Sequence, residues 1–203
     1  MAYSKFTLEM VVESFDLKLN YIPSIFLDAV STVPVSDILR KTLERNTIKA
    51  LRINTEKARS ELIVAPILVE LQEICNNEIA FFSGIAFNVD KHKGLMGACD
   101  FLISIDRNQG FLTAPLISVV EAKNDNVNYG LGQCIAEMVA AQLFNANKKR
   151  EIKIIYGVVT NGIAWKLIKL IDNQVFIEEG ERSYDIDSMG ELLGIFLKML
   201  DQH

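Results

Sequence analysis

The chain has 203 residues, of which 50% are hydrophobic and 23% are charged, so it is long enough for one domain with a substantial buried core. Its two histidines and three cysteines argue against a histidine-rich zinc site, a Cys-x-x-Cys ribbon and a disulfide scaffold. A formal net charge of −5 argues against a protein that coats nucleic acid along its whole surface, since such proteins are usually basic.

The N-terminal segment is not expected to direct the chain out of the cell or into a membrane. The first twenty residues contain charges throughout and lack the apolar run of a signal peptide. The longest apolar stretch, residues 62–69, is far too short to cross a bilayer. Together with three scattered thiols, these features predict a cytoplasmic protein that does not associate with a membrane.

Residues 1–53 are predicted to form a strand-helix extension at the start of a single domain. Residues 3–20 are rich in aliphatic and aromatic side chains, which favours one or two strands, and an amphipathic helix follows over 36–46. A longer helix is predicted over 54–77. Pro66 should kink or split this helix, because proline lacks the backbone donor that a helix interior uses.

Beyond residue 77 the hydrophobic pattern changes from helical to alternating, which is typical of strands. A turn at 106–110 has the composition of a hairpin and is expected at the centre of a mixed sheet. Helices are predicted over 129–147 and at the C-terminus, after a final hairpin. The order helix, three-strand meander, helix and strand predicts an α/β fold, with residues 171–203 as a C-terminal strand and helix. The predicted strands are residues 79–89, 98–105, 115–123, 151–160, 163–170 and 174–179.

Three polar side chains on the predicted hairpin are candidates for a functional site. Asp100 lies on its first strand, and Glu121 and Lys123 lie at the end of the second. Because side chains alternate along a strand, Glu121 and Lys123 are expected to point to the same side. The same alternation is expected to place two core residues of the strand on that side, Ile117 and Val119.

These residue types have the chemistry of a site for a hard cation. An acid at the end of a buried strand is unfavourable unless it is compensated, and a divalent cation shared by Asp100 and Glu121 would compensate it. Carboxylate oxygens suit Mg²⁺ or Mn²⁺ rather than zinc. Lys123 would orient or deprotonate a water, or would offset the charge of a phosphate oxygen.

With this arrangement the chain resembles the PD-(D/E)XK nuclease superfamily, which is named for a metal-binding hairpin. Asp100, in GACDF, is similar to the first acidic position, although the proline before it is absent. Glu121 and Lys123, in VVEAK, are similar to the second acid and the lysine. Glu61 fits a glutamate that members often carry on the helix before the first core strand, and Gln133 matches a glutamine that some carry on the helix after the lysine.

The resemblance implies a nuclease that hydrolyses phosphodiester bonds in DNA, with RNA as the second choice. Asp100 and Glu121 would bind Mg²⁺ or Mn²⁺, and Glu61 would support a second ion or orient a water. Lys123 would position the nucleophile. Gln133 would hold the helix or a ligand near the scissile phosphate.

The resemblance covers residues 54–170 and implies a restriction-endonuclease-like core there. It extends to bacterial members of the superfamily that have no assigned activity. A chain with one such site would nick a single strand, so cleavage of a duplex predicts a homodimer or a partner subunit. Restriction, repair and control of mobile elements are the processes in which such a nuclease would act.

The same residues also allow a non-catalytic interpretation, in which a nuclease-like module binds nucleic acid or a protein partner without cutting. The presence of Asp100, Glu121 and Lys123 together argues against it, although the three can also form simple ion pairs at a sheet edge. Glu61 is favourable early in a helix whatever its function, because of the helix dipole. Glu137, on the helix after the lysine, is predicted to lie on a solvated face.

Charge is concentrated in two parts of the chain. Residues 40–59 carry seven basic and two acidic side chains, a local charge of +5, whereas residues 172–191 carry seven acids and one arginine, a local charge of −6. The basic stretch is interpreted either as a surface for a nucleic-acid backbone that leads towards Glu61, or as the ordinary solvent face of an amphipathic helix.

Overall fold

A computed structural model of the protein describes residues 2–26, 30–123 and 126–202 and has a mixed α/β fold. Short 3₁₀ turns cover Tyr3–Lys5 and Val127–Gly130. The helices are α1 (Leu8–Phe15), α2 (Asp37–Ile53), α3 (Glu56–Arg59), α4 (Ala65–Ile74), α5 (Leu131–Asn147) and α6 (Met189–Leu200). The strands are β1 (Lys18–Ile22), β2 (Ala80–Ala86), β3 (Ala98–Ser104), β4 (Leu116–Ala122), β5 (Ile154–Thr160), β6 (Ala164–Ile171), β7 (Gln174–Glu178) and β8 (Arg182–Ser183).

The strands form one open sheet in the order β1-β7-β6-β5-β4-β3-β2, with the short β8 paired to β6. β1 runs parallel to β7 and β4 runs parallel to β5, whereas the other neighbouring strands are antiparallel. The predicted α/β class and the mixed sheet are therefore confirmed. The central position predicted for the β3–β4 hairpin is wrong: the hairpin lies next to the edge strand β2, because β5, β6, β7 and β1 all add on the far side of β4.

Helices cover both faces of the sheet. On β5, Ile155 and Val159 belong to a hydrophobic cluster with α1 and α5, while Tyr156 and Val158 belong to a second cluster with α2, α4 and α6. Alternate side chains of this strand are thus buried on opposite faces, as expected for a parallel pair inside a helix-covered sheet. Within the described ranges, no helix combines the length and the hydrophobicity that crossing a bilayer requires.

Residues 8–15 form helix α1, so the strand predicted there is wrong. Thr7 caps the helix, because its hydroxyl oxygen accepts a hydrogen bond of 3.2 Å from the Met10 amide. Val11 and Phe15, one helical turn apart, join the cluster between α1 and α5. The aliphatic residues of this short stretch fit the periods of both a strand and a helix, and packing against α5 decides between them.

The helix predicted over 54–77 continues from α3 into α4 despite Pro66. Proline cannot donate to the carbonyl four residues earlier, that of Leu62, and a π-helical turn at Ser60–Val64 lies directly before it. The Leu62 carbonyl instead accepts a hydrogen bond of 3.3 Å from the Asn46 side chain of α2. Pro66 therefore widens the helix rather than splitting it, and Asn46 satisfies the backbone group that proline leaves free.

A β-bulge on β4 sets the direction of its side chains. The register of β4 against β3 shifts by one residue, which leaves Ile117 as the extra residue. Ile117 and Val120 both join the cluster with α2, α4 and α6, and Glu121, next to Val120, faces the other side. The prediction that Ile117 shares a face with Glu121 is therefore wrong, and the side chain of Val119 lies outside the described part of the chain.

Candidate metal centre

Three elements bring polar side chains together at the carboxyl ends of β4 and β5. These strands are parallel, and the Lys123 amide, directly after β4, donates to the carbonyl of Thr160 at the end of β5 (2.7 Å). β3 is antiparallel to β4, so Asp100 near its start lies beside the end of β4. Helix α3 begins at the same place, with Glu56 directly after its N-cap Thr55.

Glu56, Asp100 and Glu121 form an acidic cluster in which one carboxylate oxygen of each lies within 4.8 Å of those of the other two. The side chains come from α3, β3 and β4, and they range from exposed Glu56 to buried Glu121. Oxygen ligands of one Mg²⁺ lie about 2.1 Å from the ion, and hence within about 4.2 Å of each other. The acidic cluster is close to these dimensions, so it can hold a metal ion.

Asp100 is held in place by the backbone of the neighbouring strand. Its Oδ2 accepts a hydrogen bond of 2.8 Å from the Ala122 amide at the end of β4. Burial raises the pKa of Asp100, while the Ala122 amide and the Lys123 ammonium both oppose that rise. The hydrogen bond uses one lone pair of Oδ2, so acceptor positions remain on both oxygens for a ligand.

Glu121 is 1% exposed, and one of its carboxylate oxygens is the strongest sign that these residues suit a metal ion. Its Oε1 accepts a hydrogen bond from Lys123, whereas its Oε2 is buried and has no hydrogen-bond partner among the described residues. Burial, and then the charge of Asp100, raise the pKa of Glu121 to about 8. A buried carboxylate oxygen without a partner is unfavourable, and a cation shared with Asp100 would supply that partner.

Lys123 lies at the centre of the acidic residues. Its Nζ donates to Glu121 Oε1, lies 3.6 Å from Glu56 Oε2 and is 3.4 Å from Gln133 Oε1. Burial favours the neutral amine, but the charge and hydrogen bond of Glu121, and then the charge of Glu56, outweigh burial and raise the pKa of Lys123. The lysine is therefore an ammonium at neutral pH, which can orient a water or a phosphate oxygen but does not take up a proton.

Gln133 and Glu137 extend the site onto α5. The Gln133 Nε2 donates to Glu137 Oε1 (3.2 Å), while Gln133 Oε1 accepts from Lys123. Glu137 is fully buried, so its predicted position on a solvated face is wrong. α1 contacts α5 on a different side: a Cβ on Gly132, about 140° around the helix from Glu137, would lie 2.3 Å from the Thr7 carbonyl carbon. Burial, and then the charge of Glu121, raise the pKa of Glu137 well above its ordinary value.

Glu61, the predicted third acid, does not join the acidic cluster. It lies on the π-helical turn, its side chain is 60% exposed, and it forms an ion pair of 3.2 Å with Lys57 on the surface. Glu56, five residues earlier, takes the position predicted for Glu61. Glu56 faces the end of β4, whereas Glu61, on the π-helical turn, faces solvent beside Lys57.

A glycine allows the start of α5 to approach Lys123 closely. A Cβ on Gly130 would lie 2.5 Å from Val159 and 3.2 Å from two carbons of the Lys123 side chain. Its φ of −86° is open to any residue, so the requirement is for space rather than for an unusual backbone conformation. The packing of Lys123 against Gly130 restricts the lysine stem and directs its ammonium group towards the carboxylates.

The fold and the site together define a mixed α/β protein with a lysine-linked acidic cluster that can hold a metal ion. A comparison with protein-family models found no match, and a comparison with curated proteins found none either. Sequence reasoning missed two members of the site, Glu56 and Glu137. The only sequence signal for Glu137 was its position one helical turn after Gln133, and Glu56 had none.

The metal-free protein is expected to lose stability as the pH rises from about 5 to about 8. Glu121 and Glu137 have pKa values raised above the ordinary 4.5, so the folded protein retains protons that the unfolded chain releases. Their contribution is fully present below the unfolded pKa and is lost as the pH passes the folded pKa. The urea midpoint, measured in EDTA at pH 5.5 and 8.5, should therefore be lower at the higher pH.

Glu137→Gln provides the control for this pH dependence. It removes one of the two buried acids and keeps an oxygen that can accept from Gln133, so the urea midpoint should rise at pH 8.5 and the pH dependence should become weaker. Glu61→Gln, on the surface, should leave both unchanged. A urea midpoint that increases with pH in the wild type would contradict the raised pKa values.

Proposed function

We propose that the protein is a metal-dependent nuclease that hydrolyses phosphodiester bonds in DNA, with Mg²⁺ or Mn²⁺ held by Glu56, Asp100 and Glu121. The observation that carries the proposal is the convergence of these carboxylates with Lys123 at the end of one strand. A divalent cation bound there supplies positive charge that polarises a phosphoryl oxygen and lowers the pKa of a water.

The remaining side chains have roles that follow from their contacts. Lys123 donates a hydrogen bond to the attacking water or to a phosphate oxygen, because its ammonium is retained at neutral pH. Gln133 limits the positions of the ammonium, and Glu137 fixes the Gln133 amide through a second hydrogen bond. Asp100 keeps one orientation because its Oδ2 accepts a hydrogen bond from the Ala122 amide.

The order of elements supports a restriction-endonuclease-like core as part of this proposal. Helix α4, the antiparallel strands β2, β3 and β4, helix α5 and the parallel strand β5 follow one another along the chain. This is the order helix, three-strand meander, helix and strand that the sequence predicts. The three unpaired cysteines support the cytoplasmic setting of such an enzyme, since they form no disulfide.

Metal-dependent nicking of a supercoiled plasmid tests the proposed function. Purified protein should cut the plasmid with Mg²⁺ or Mn²⁺ but not with EDTA. The product should be nicked circles, because one site cuts one strand at a time. Single-stranded DNA and RNA of the same sequence are compared in parallel to rank the substrates. Linear plasmid at early times would indicate that two copies, or a copy and a partner subunit, act together.

Glu121→Gln is the inactive control for this experiment. The change retains the size of the side chain and removes the charge that a cation requires, so both nicking and Mn²⁺ binding in calorimetry should fall at least about 10-fold. Cleavage that persists in EDTA, or that is equal in wild type and Glu121→Gln, would exclude the acidic cluster as the active site. A Mn²⁺-binding protein that cuts no nucleic acid would instead support the non-catalytic module.

A further inference from the structure

The solvent face of α2 carries a continuous stripe of positive charge. From Lys41 onwards, the basic residues of α2 are separated by four, four and three positions, which places them on one side of the helix. All are exposed, while Leu39, Leu43 and Ala50 on the opposite side of the helix are buried in the core. We call this surface the α2 basic stripe, and it consists of Lys41, Arg45, Lys49 and Arg52.

The charges of the α2 basic stripe are not neutralised within the described parts of the chain. None of its four members forms an ion pair there, whereas nearby Arg40 and Lys57 pair with Asp187 and Glu61. Glu44 is the only acid between the first and last members of the stripe, and it is turned about 95° from the centre of the stripe. The stripe is therefore a surface of net positive potential, which attracts an anionic partner.

The stripe ends beside the acidic cluster. Buried Arg59 donates to the Asn54 side chain at the end of α2 (3.0 Å) and to the Asn161 carbonyl after β5 (2.8 Å). These two bonds tie the C-terminal end of α2 to the end of β5, the neighbour of the strand that carries Glu121. Glu56 of the acidic cluster follows Asn54 by two residues, so the stripe and the cluster are adjacent along a fixed backbone.

We propose that the α2 basic stripe binds the phosphate backbone of a nucleic-acid strand and guides that strand into the acidic cluster. The inference rests on the proposed function for the identity of the cluster. The stripe extends about 16 Å along the helix, a length that matches about five phosphates of one strand. Its members are long cationic side chains on an exposed helix face, so the interaction is with phosphate groups and is independent of base sequence.

Two triple variants of identical composition test this inference. Lys41→Gln/Lys49→Gln/Arg52→Gln removes three charges from the stripe. Lys148→Gln/Lys149→Gln/Arg150→Gln removes two lysines and an arginine from an exposed run directly after the C-terminal end of α5. This end lies about 25 Å from the N-terminal end of α5, which is near Lys123. Neither variant changes a residue of the acidic cluster, and circular dichroism should confirm that both are folded.

Binding is measured separately from cleavage, by fluorescence anisotropy of a labelled DNA 20-mer in EDTA over a series of salt concentrations. The stripe variant should bind about 10-fold more weakly, and the slope of log K against log salt should fall by about 2 to 3, as expected for the loss of three phosphate contacts. The Lys148 variant should match the wild type. Metal-dependent hydrolysis of bis-p-nitrophenyl phosphate, which has no backbone to bind, should be the same in all three proteins.

The outcomes separate this inference from the proposed function. Equal DNA affinity and salt slope in the stripe variant and the wild type would overturn the inference, even if the wild type cuts DNA. A wild type that binds DNA through the stripe but cuts nothing would overturn the nuclease and leave the stripe as a binding surface. Loss of binding to vesicles of phosphatidylserine with no change for DNA would identify an anionic membrane as the partner and also overturn the inference.

Discussion

Replacing Lys123 with methionine should reduce metal-dependent DNA cleavage by about 10²- to 10³-fold, the range typical for the loss of one preorganised hydrogen-bond donor at the reacting group. The ammonium contacts Glu121 Oε1, Glu56 and Gln133 at once. Methionine keeps the unbranched stem that packs against Gly130, so the change removes the charge with little loss of packing. Initial rates of plasmid nicking at saturating Mn²⁺ measure the effect.

Lys166→Met is a matched control for the loss of a lysine. Lys166 is 5% exposed, and its ammonium donates to the Glu179 carbonyl (3.1 Å) rather than to the acidic cluster. This variant should cleave at the rate of the wild type.

Calorimetry should show that the Lys123 variant still binds Mn²⁺, because the three carboxylates remain. A Lys123→Met protein that cuts at the rate of the wild type would refute the role assigned to the ammonium.

Glu56→Gln and Glu61→Gln should differ sharply, although both glutamates lie five residues apart on the same continuous helix. Glu56→Gln removes a member of the acidic cluster and should lower Mn²⁺ affinity and DNA cleavage by about 10- to 100-fold. Glu61→Gln should change both by less than about twofold, because it removes only an exposed ion pair with Lys57. Calorimetry with Mn²⁺ and plasmid nicking measure the two effects.

This pair of variants also decides between two structural interpretations. The side chains of Glu56 and Glu61 are 47% and 60% exposed, so neither change should disturb the core. If Glu61→Gln is the inactive variant, the glutamate inferred from the family resemblance is the correct one and the assignment of Glu56 fails. If both variants are fully active, the metal is held by Asp100 and Glu121 without a third acid from the helix.

The β-strands of the core and the proximity of Asp100 to Glu121 are accessible to sequence reasoning. Strand alternation is a local property of the backbone, so the patterns in 98–105 and 115–123 predict β3 and β4 almost at their observed bounds. The hairpin composition between them then brings Asp100 close to the end of β4. The β-bulge at Ile117 was not predictable, because it shows only in the register of one strand against the other.

The helix over 54–77 shows the opposite behaviour, since its existence is a local property but its orientation is not. The period of residues 54–77 predicts a helix correctly, yet it cannot tell which of Glu56 and Glu61 faces the end of β4. That choice depends on where α3 begins relative to the sheet, which Arg59 fixes through its hydrogen bonds to Asn54 and Asn161. Such long-range contacts leave no periodic signal in the sequence.

By itself, the sequence determined the kinds of element in this protein and the chemistry open to it. Alternating and helical hydrophobic periods specify most strands and helices, and the scarcity of histidine and cysteine leaves carboxylate oxygens as the main metal ligands. Only the tertiary structure decided that Glu56 belongs to the site and that Glu137 is buried beneath it. Burial and convergence depend on how α3 and α5 pack against the sheet, and packing joins residues that are far apart in the chain.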